Sequence, residues 1–167
     1  YYFEQVCPNP VLVCPENITV AAEANVCGAL VTYTAPYPEV NCGYSNIYQI
    51  EGLPSGVLFP VGTTTNTFIL YHYNTGMSVV CSFTVTVVDN QVPTISCPAN
   101  ISVNNTPGTC GAAVTYTTPV GTDNCSGATT TQTAGLASGA TFPVGTTTNT
   151  FEVTDAAGNK TSCSFTV

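Results

Sequence analysis

Nine cysteines are the residues of this 167-residue chain best suited to chemistry, and their spacing limits what that chemistry can be. Cys14, Cys27, Cys42 and Cys81 recur as Cys97, Cys110, Cys125 and Cys163, offset by 83 residues for the first three and by 82 for the last. Thiolates bind zinc or iron–sulfur clusters where CxxC pairs or Cys/His pairs bring them together. No CxxC occurs, and His72 is the only histidine. In an oxidising compartment the same residues form disulfides, and a duplicated set of four reads as two bridges per repeat. The protein is therefore expected to be secreted or displayed on a cell surface. Four cysteines pair in three ways, and spacing alone leaves all three open. Cys7 falls where the second repeat has Asn90, so it stands outside the frame and is expected to be unpaired or bonded between units.

The remaining polar residues argue against an enzyme. One histidine, three aspartates and no arginine do not furnish an acid, a base and an oxyanion stabiliser, and His72 reads as a surface strand residue. The six glutamates are scattered without duplicated partners, which gives no carboxylate pair of the glycosidase kind. Asp89 and Asn90 between the repeats, with Asp123 and Asp155 in two later loops, form a candidate oxygen set for Ca²⁺ at the linker end of the second repeat. Asp and Asn also cap turns, so both readings stand at this stage. The first repeat has Val40 and His72 in place of Asp123 and Asp155, and no other motif requires a cofactor.

Nine acidic residues against Lys160 alone leave a net charge of −8, which excludes a phosphate backbone or an anionic membrane as a partner. No apolar run reaches the roughly 18 to 20 residues of a membrane span, and the Tyr1-Tyr2-Phe3-Glu4 opening is not a signal peptide. Any export signal is expected to lie outside the chain. Tyrosines crowd the first repeat, where Tyr44, Tyr48, Tyr71 and Tyr73 make a candidate face for a glycan or a surface protein, against Tyr116 alone in the second. N-glycosylation sequons begin at Asn17, Asn100, Asn104, Asn124 and Asn159.

The elements that must position these groups are duplicated too. The decamer FPVGTTTNTF occupies 59–68 and again 142–151, flanked in register by CPENITV and CPANISV, CGALVTYTAP and CGAAVTYTTP, and a closing CSFTV. In the decamer, Phe59 and Phe142 are expected to plug a core, Gly62 and Gly145 to make a turn, and alternating Thr and Phe to form a strand with one wet face. Alternating stretches broken by Gly, Pro, Asn and Asp every 8 to 12 residues or so predict an all-β protein built of two tandem immunoglobulin-like or fibronectin-III-like sandwiches. The predicted layout is an N-terminal segment over 1–13, a first module over 14–88, a linker over 89–96 stiffened by Pro93, and a second module over 97–167. The opening YYFEQV aligns with the TVTVVD that ends the first module, Tyr1 on Thr84, and is expected to pair with the sheet edge of a neighbouring unit.

The second repeat, through CPANISV, DNCSG, SGATFPVGTTTNTFEVTDAAGN and CSFTV, resembles the HYR (hyalin repeat) family over essentially its whole length. The resemblance implies an immunoglobulin-like sandwich that occurs in tandem in extracellular matrix and adhesion proteins. The four-cysteine form is similar to repeats of large bacterial surface adhesins of the Bacteroidota type. The first repeat departs from the pattern with VNCGY and LYHYNTGMSVVC. Family likeness favours Cys14 with Cys81 and Cys97 with Cys163, supported by the adjacency of first and last strands in such a sandwich. It implies Cys27 with Cys42 and Cys110 with Cys125 as inner pairs, although the inner pair needs a long loop to fold back. The expected function is a non-catalytic stalk or fibre segment whose partners are neighbouring repeats or identical subunits. The second repeat stops at CSFTV where the first continues TVVDNQVPT, which reads as a segment of a longer array.

Overall fold

A computed structural model describes residues 10–39, 45–73 and 76–167, all β-strands and loops. The chain divides between Asp89 and Asn90 into two compact units, each the size of a small sandwich.

In unit 1, β1 (Leu12–Val13), β2 (Ile18–Ala21), β3 (Gly28–Val31) and β4 (Tyr37–Pro38) precede β5 (Ser45–Glu51), β6 (Val57–Pro60), β7 (Gly62–His72) and β8 (Met77–Val88). The main sheet has the order β2-β8-β7-β5; β3 pairs with β6, and β1 with β4. The first and last of its strands run parallel, Ile18 opposite Val85 through Ala21 opposite Val88. Alternation along β7 turns Asn66, Phe68, Leu70 and His72 inward and leaves the residues between them wetter. His72 is therefore buried, 5% exposed, and the expectation of a surface histidine is corrected: it shares parity with Phe68 and Leu70.

Unit 2 repeats this plan with β9 (Gly111–Ala113), β10 (Thr129–Ala134), β11 (Thr141–Pro143), β12 (Thr148–Thr154) and β13 (Lys160–Thr166), in sheets β10-β12-β13 and β11-β9. Residues 98–106, the counterpart of the β2 region, form no strand. The predicted linker is partly built into this unit, since Pro93 is buried and Thr94 and Thr122 exchange two backbone hydrogen bonds of 2.8 Å.

The decamer does what its residue types demand in both units. Phe59 and Phe142 are 0% and 3% exposed, and Gly62 and Gly145 take positive φ of 111° and 122° at the strand entry. The aromatic core is duplicated ring for ring. Tyr33 meets Phe83 edge-on at 4.9 Å, as Tyr116 meets Phe165, while Phe68 stacks with Phe83 and Phe151 with Phe165. Each buried Phe contributes about 1.5–3 kcal/mol by leaving water.

Candidate functional site

Among the described residues six cysteines are in disulfides and one is free. Cys14 bonds Cys81 and Cys97 bonds Cys163, with Cα atoms 5.9 and 5.6 Å apart. The two bridges close chain separations of 67 and 66 residues, tying the entry of each unit to its last strand. Cys27 and Cys125 are also disulfide-bonded, while Cys110 is a free, exposed thiol. The expected Cys110–Cys125 bridge is thus corrected. Cys110 lies at the start of β9, its carbonyl accepting the Val144 amide at 3.1 Å. Cys125 lies in the loop whose Gly121 and Gly127 abut Val153 and Ala156, at the far end of β12. Seven strand residues, about 20 Å, separate the two ends, whereas a disulfide needs Cα atoms within about 7 Å. Cys7 and Cys42 lie outside the described residues.

A polar cluster that residue types did not announce is present in both units. Asn66 and Asn149, the decamer asparagines, are fully buried. The Asn66 Oδ1 accepts the Leu53 amide at 2.8 Å and the Gln49 side-chain amide at 3.1 Å; Asn149 accepts Leu136 at 2.7 Å and Gln132 at 3.3 Å. Each glutamine also reaches the carbonyl of that leucine, 2.9 Å to Leu53 and 3.1 Å to Leu136. The Tyr33 and Tyr116 hydroxyls donate to the same carbonyls at 2.7 and 2.6 Å. Burial pushes the Tyr33 phenol up, partly offset by hydrogen bonds from Gln49 and near Ser55. Ser55 and Ser138 each accept the amide and donate to the carbonyl of Tyr33 and Tyr116. A β-bulge after Gln49 and after Gln132 delivers the chain to Gly52 and Gly135, both with positive φ near 90° and packed so close to Asn66 and Asn149 that no side chain fits. The signal was available in parity: each Asn stands two residues before an inward Phe.

The carboxylates of unit 2 serve their own turns. Asp123 Oδ2 accepts the Cys125 amide at 2.9 Å. Asp155, 6% exposed between β12 and β13, accepts the Asn159 amide at 2.7 Å on one oxygen and the Asn159 side chain at 2.8 Å on the other. Burial pushes its pKa up, but hydrogen bonds from the Asn159 side chain and the backbone of 157–159 outweigh that and hold it below the usual carboxylate range. Asp89, 5% exposed, closes unit 1, and Asn90 is exposed at the start of unit 2. The Asp123 and Asp155 contacts are of the kind by which Asp caps turns.

Tyr48, Tyr71 and Tyr73 do come together, on the outer face of the unit 1 sheet at its β5 edge. They are 46%, 45% and 59% exposed. The Tyr48 and Tyr73 hydroxyls lie 3.3 Å apart, the Asn46 side-chain amide donates to Tyr48 at 3.1 Å, and the Tyr48 and Tyr71 rings meet edge-on at 6.3 Å. The hydrogen bond between the two phenols lowers the pKa of Tyr48 and raises that of Tyr73. Tyr44 lies outside the described residues.

Among the described residues no helix is long and apolar enough to cross a membrane. The disulfides fit the extracellular or cell-surface location expected from the cysteine count. Hyalin of Strongylocentrotus purpuratus is 36% identical over 161 residues, which cover 95% of this chain and 13% of that protein. Hyalin of Lytechinus variegatus is 34% identical over 157 residues, covering 90% and 28%. The chain thus spans only a small part of either relative. Among solved structures, cadherin domains 1–4 of protocadherin gamma B7 align with a TM-score of 0.40 at 12% identity over 95% of this chain and 48% of that one. The protocadherin gamma B4 extracellular domain gives 0.37 at 15% over 94% and 34%. Residues 7–87 and 88–167 each match the model of the HYR domain, so with two copies in tandem the chain belongs to the HYR domain family.

Proposed function

We propose that the chain is a non-catalytic segment of an extracellular adhesion protein, a stiff, disulfide-locked stalk or fibre element of the kind found in large surface adhesins or filaments. The observation that carries this reading is the pair of bridges, Cys14–Cys81 and Cys97–Cys163, between the entry and the last strand of each unit. Tension that enters at the first cysteine passes through the sulfurs to the last strand, so the chain between them carries none of it. About 66 residues per unit, worth roughly 220 Å of extended chain, are shielded in this way. Such an element holds whatever it carries at a fixed reach. Its partners are neighbouring repeats or identical subunits, and calcium is not required. Stretching single molecules is the test. Oxidised units are expected to withhold that length and reduced units to release it; oxidised units that extend fully would sink the reading.

A second reading is supported by the tyrosine cluster, namely that unit 1 binds a glycan or a surface protein through Tyr48, Tyr71 and Tyr73. Exposed aromatic rings held by mutual hydrogen bonds offer a flat stacking surface. A glycan array probed with the intact chain and with Tyr48→Ala/Tyr73→Ala tests it. Ligands lost only by the double variant would support this role, and an array with no ligand for either would dismiss glycan recognition.

A further inference from the structure

Unit 1 carries two phenols that its fold does not need. Tyr48 lies on β5, the edge strand of the main sheet, which pairs on one side only with β7, and Tyr73 directly follows β7. At the 83-residue offset of the repeat their counterparts in unit 2 are Thr131 and Ala156, and that unit builds the equivalent strand pair, β10 with β12, without them. Both rings are exposed, so neither fills the core. Their hydroxyl oxygens are nevertheless 3.3 Å apart, and the Asn46 side-chain amide holds the pair by donating to Tyr48 at 3.1 Å and to Tyr73 at 3.4 Å. The rings thus meet at their hydroxyl ends. The carbons next to each oxygen, the Cε positions, are where a phenoxyl radical carries unpaired spin that is free to form a bond.

We propose that Tyr48 and Tyr73 are an oxidative cross-linking site, joined Cε to Cε as a dityrosine when a haem peroxidase and hydrogen peroxide act on the protein outside the cell. Each phenol loses one electron and one proton, and the two radicals couple through a new carbon–carbon bond. The hydrogen on each bonded Cε then moves to the neighbouring oxygen, which restores both rings. The two electrons and two protons reduce one peroxide to two waters, so the protein loses two hydrogens and gains nothing. In the product the two oxygens flank the new bond and share a hydrogen bond, the contact that Tyr48 and Tyr73 already make. Holding the partners together turns the coupling into an intramolecular step, which in dilute solution favours it over bonds between chains. Hydrogen bonds from Tyr73 and from Asn46 keep the Tyr48 phenol below its usual range, which eases loss of its proton as the electron leaves. Tyr71 is the competing ring, but it meets Tyr48 edge-on with centroids 6.3 Å apart, and the hydroxyl contact of Tyr48 is with Tyr73. The bond closes a chain separation of 25 residues and fastens the edge strand to the end of its neighbour. It requires only an oxidising space outside the cell, so it stands apart from the stalk and glycan readings.

The test treats the dilute chain, carrying Cys110→Ser so that the exposed thiol does not consume peroxide, with a plant haem peroxidase and hydrogen peroxide. Free tyrosine in a parallel reaction shows that the enzyme turns over, and mass spectrometry of the digested protein locates the bond. The monomer is expected to gain the blue fluorescence of dityrosine and to yield a peptide pair, lighter by two hydrogens, that links Tyr48 to Tyr73. Tyr48→Phe and Tyr73→Phe should each abolish that pair, whereas Tyr71→Phe should keep it. A cooperative melt confirms that each variant is folded. Absence of the linked pair from the parent, coupling through Tyr71 or Tyr37 in its place, or bonds formed chiefly between chains would overturn the proposal.

Discussion

The side-chain oxygen of Asn149 accepts the backbone amide of Leu136 at 2.7 Å, and Asn66 does the same for Leu53 at 2.8 Å. One buried side chain in each unit thereby holds the corner that joins the edge strand to the decamer. Asn149→Ala is expected to leave the Leu136 amide without its acceptor, at a cost of about 1–3 kcal/mol for that buried group, while the Gln132 side chain keeps the Leu136 and Ala134 carbonyls. Gly135→Ala should do at least as much harm, because φ there is 88° and its Cβ would collide with Asn149. Urea titration of the two variants, following the unit 2 transition, measures both effects.

The bridge between first and last strands should set much of each unit's stability. In the chain-entropy account, a loop of 66 residues contributes roughly 4 kcal/mol. Replacing Cys97 and Cys163 together by serine is expected to lower the unit 2 transition by about that amount and leave the unit 1 transition in place. Calorimetry resolves the two.

Parity and repetition explain how much of this was legible in advance. The duplicated cysteines and the Phe, Gly and Thr of the decamer pointed to two sandwiches because each type has one dominant role. His72 was misjudged because a polar residue between Tyr71 and Tyr73 looks wet, and Asn66 was not read at all, although both stand on the inward register of β7 with Phe68 and Leu70. Cys27 and Cys110 occupy equivalent places, yet one is bonded and the other free. Spacing along the chain does not report that the decamer strand is long enough to hold Cys110 and Cys125 at opposite ends of the unit. Tyr48, Tyr71 and Tyr73 lie together because Tyr71 and Tyr73 stand on either side of the inward His72, next to Tyr48 on the neighbouring strand; a binding role for them is a proposal that the glycan array addresses.

Acid should weaken unit 2 in a defined window. The Asp155 carboxyl is held below its unfolded value, so its contribution is complete above the unfolded pKa of about 4 and is lost as pH falls through the folded one. Asp155→Asn should flatten this part of the pH profile in thermal melts between about pH 6 and 2. EDTA is expected to leave the same melt unchanged, since both oxygens already accept hydrogen bonds from Asn159. A clear drop on chelation would favour calcium at Asp89, Asn90, Asp123 and Asp155.

Sequon occupancy should follow which asparagine nitrogens are free. Asn17 and Asn100 spend their oxygens on the amides of Thr84 and Thr166, at 2.8 and 2.9 Å, and are exposed. Asn159 donates its nitrogen to Asp155 at 2.8 Å, and the Asn124 nitrogen points at the Cys125 sulfur. In a secretory host that makes N-glycans, mass spectrometry after enzymatic deglycosylation should find Asn17 and Asn100 modified and Asn124 and Asn159 bare. The reverse pattern would contradict the assignment.

The same two buried asparagines have a consequence for observing the protein at work. The side-chain nitrogens of Asn66 and Asn149 are enclosed and have no acceptor, so their protons can meet solvent only when the surrounding unit opens. Their exchange with deuterium becomes a clock for that opening, one pair of resonances for each unit. A single spectrum of the intact chain could then time the breathing of the first repeat and of the second separately, with no label or mutation added.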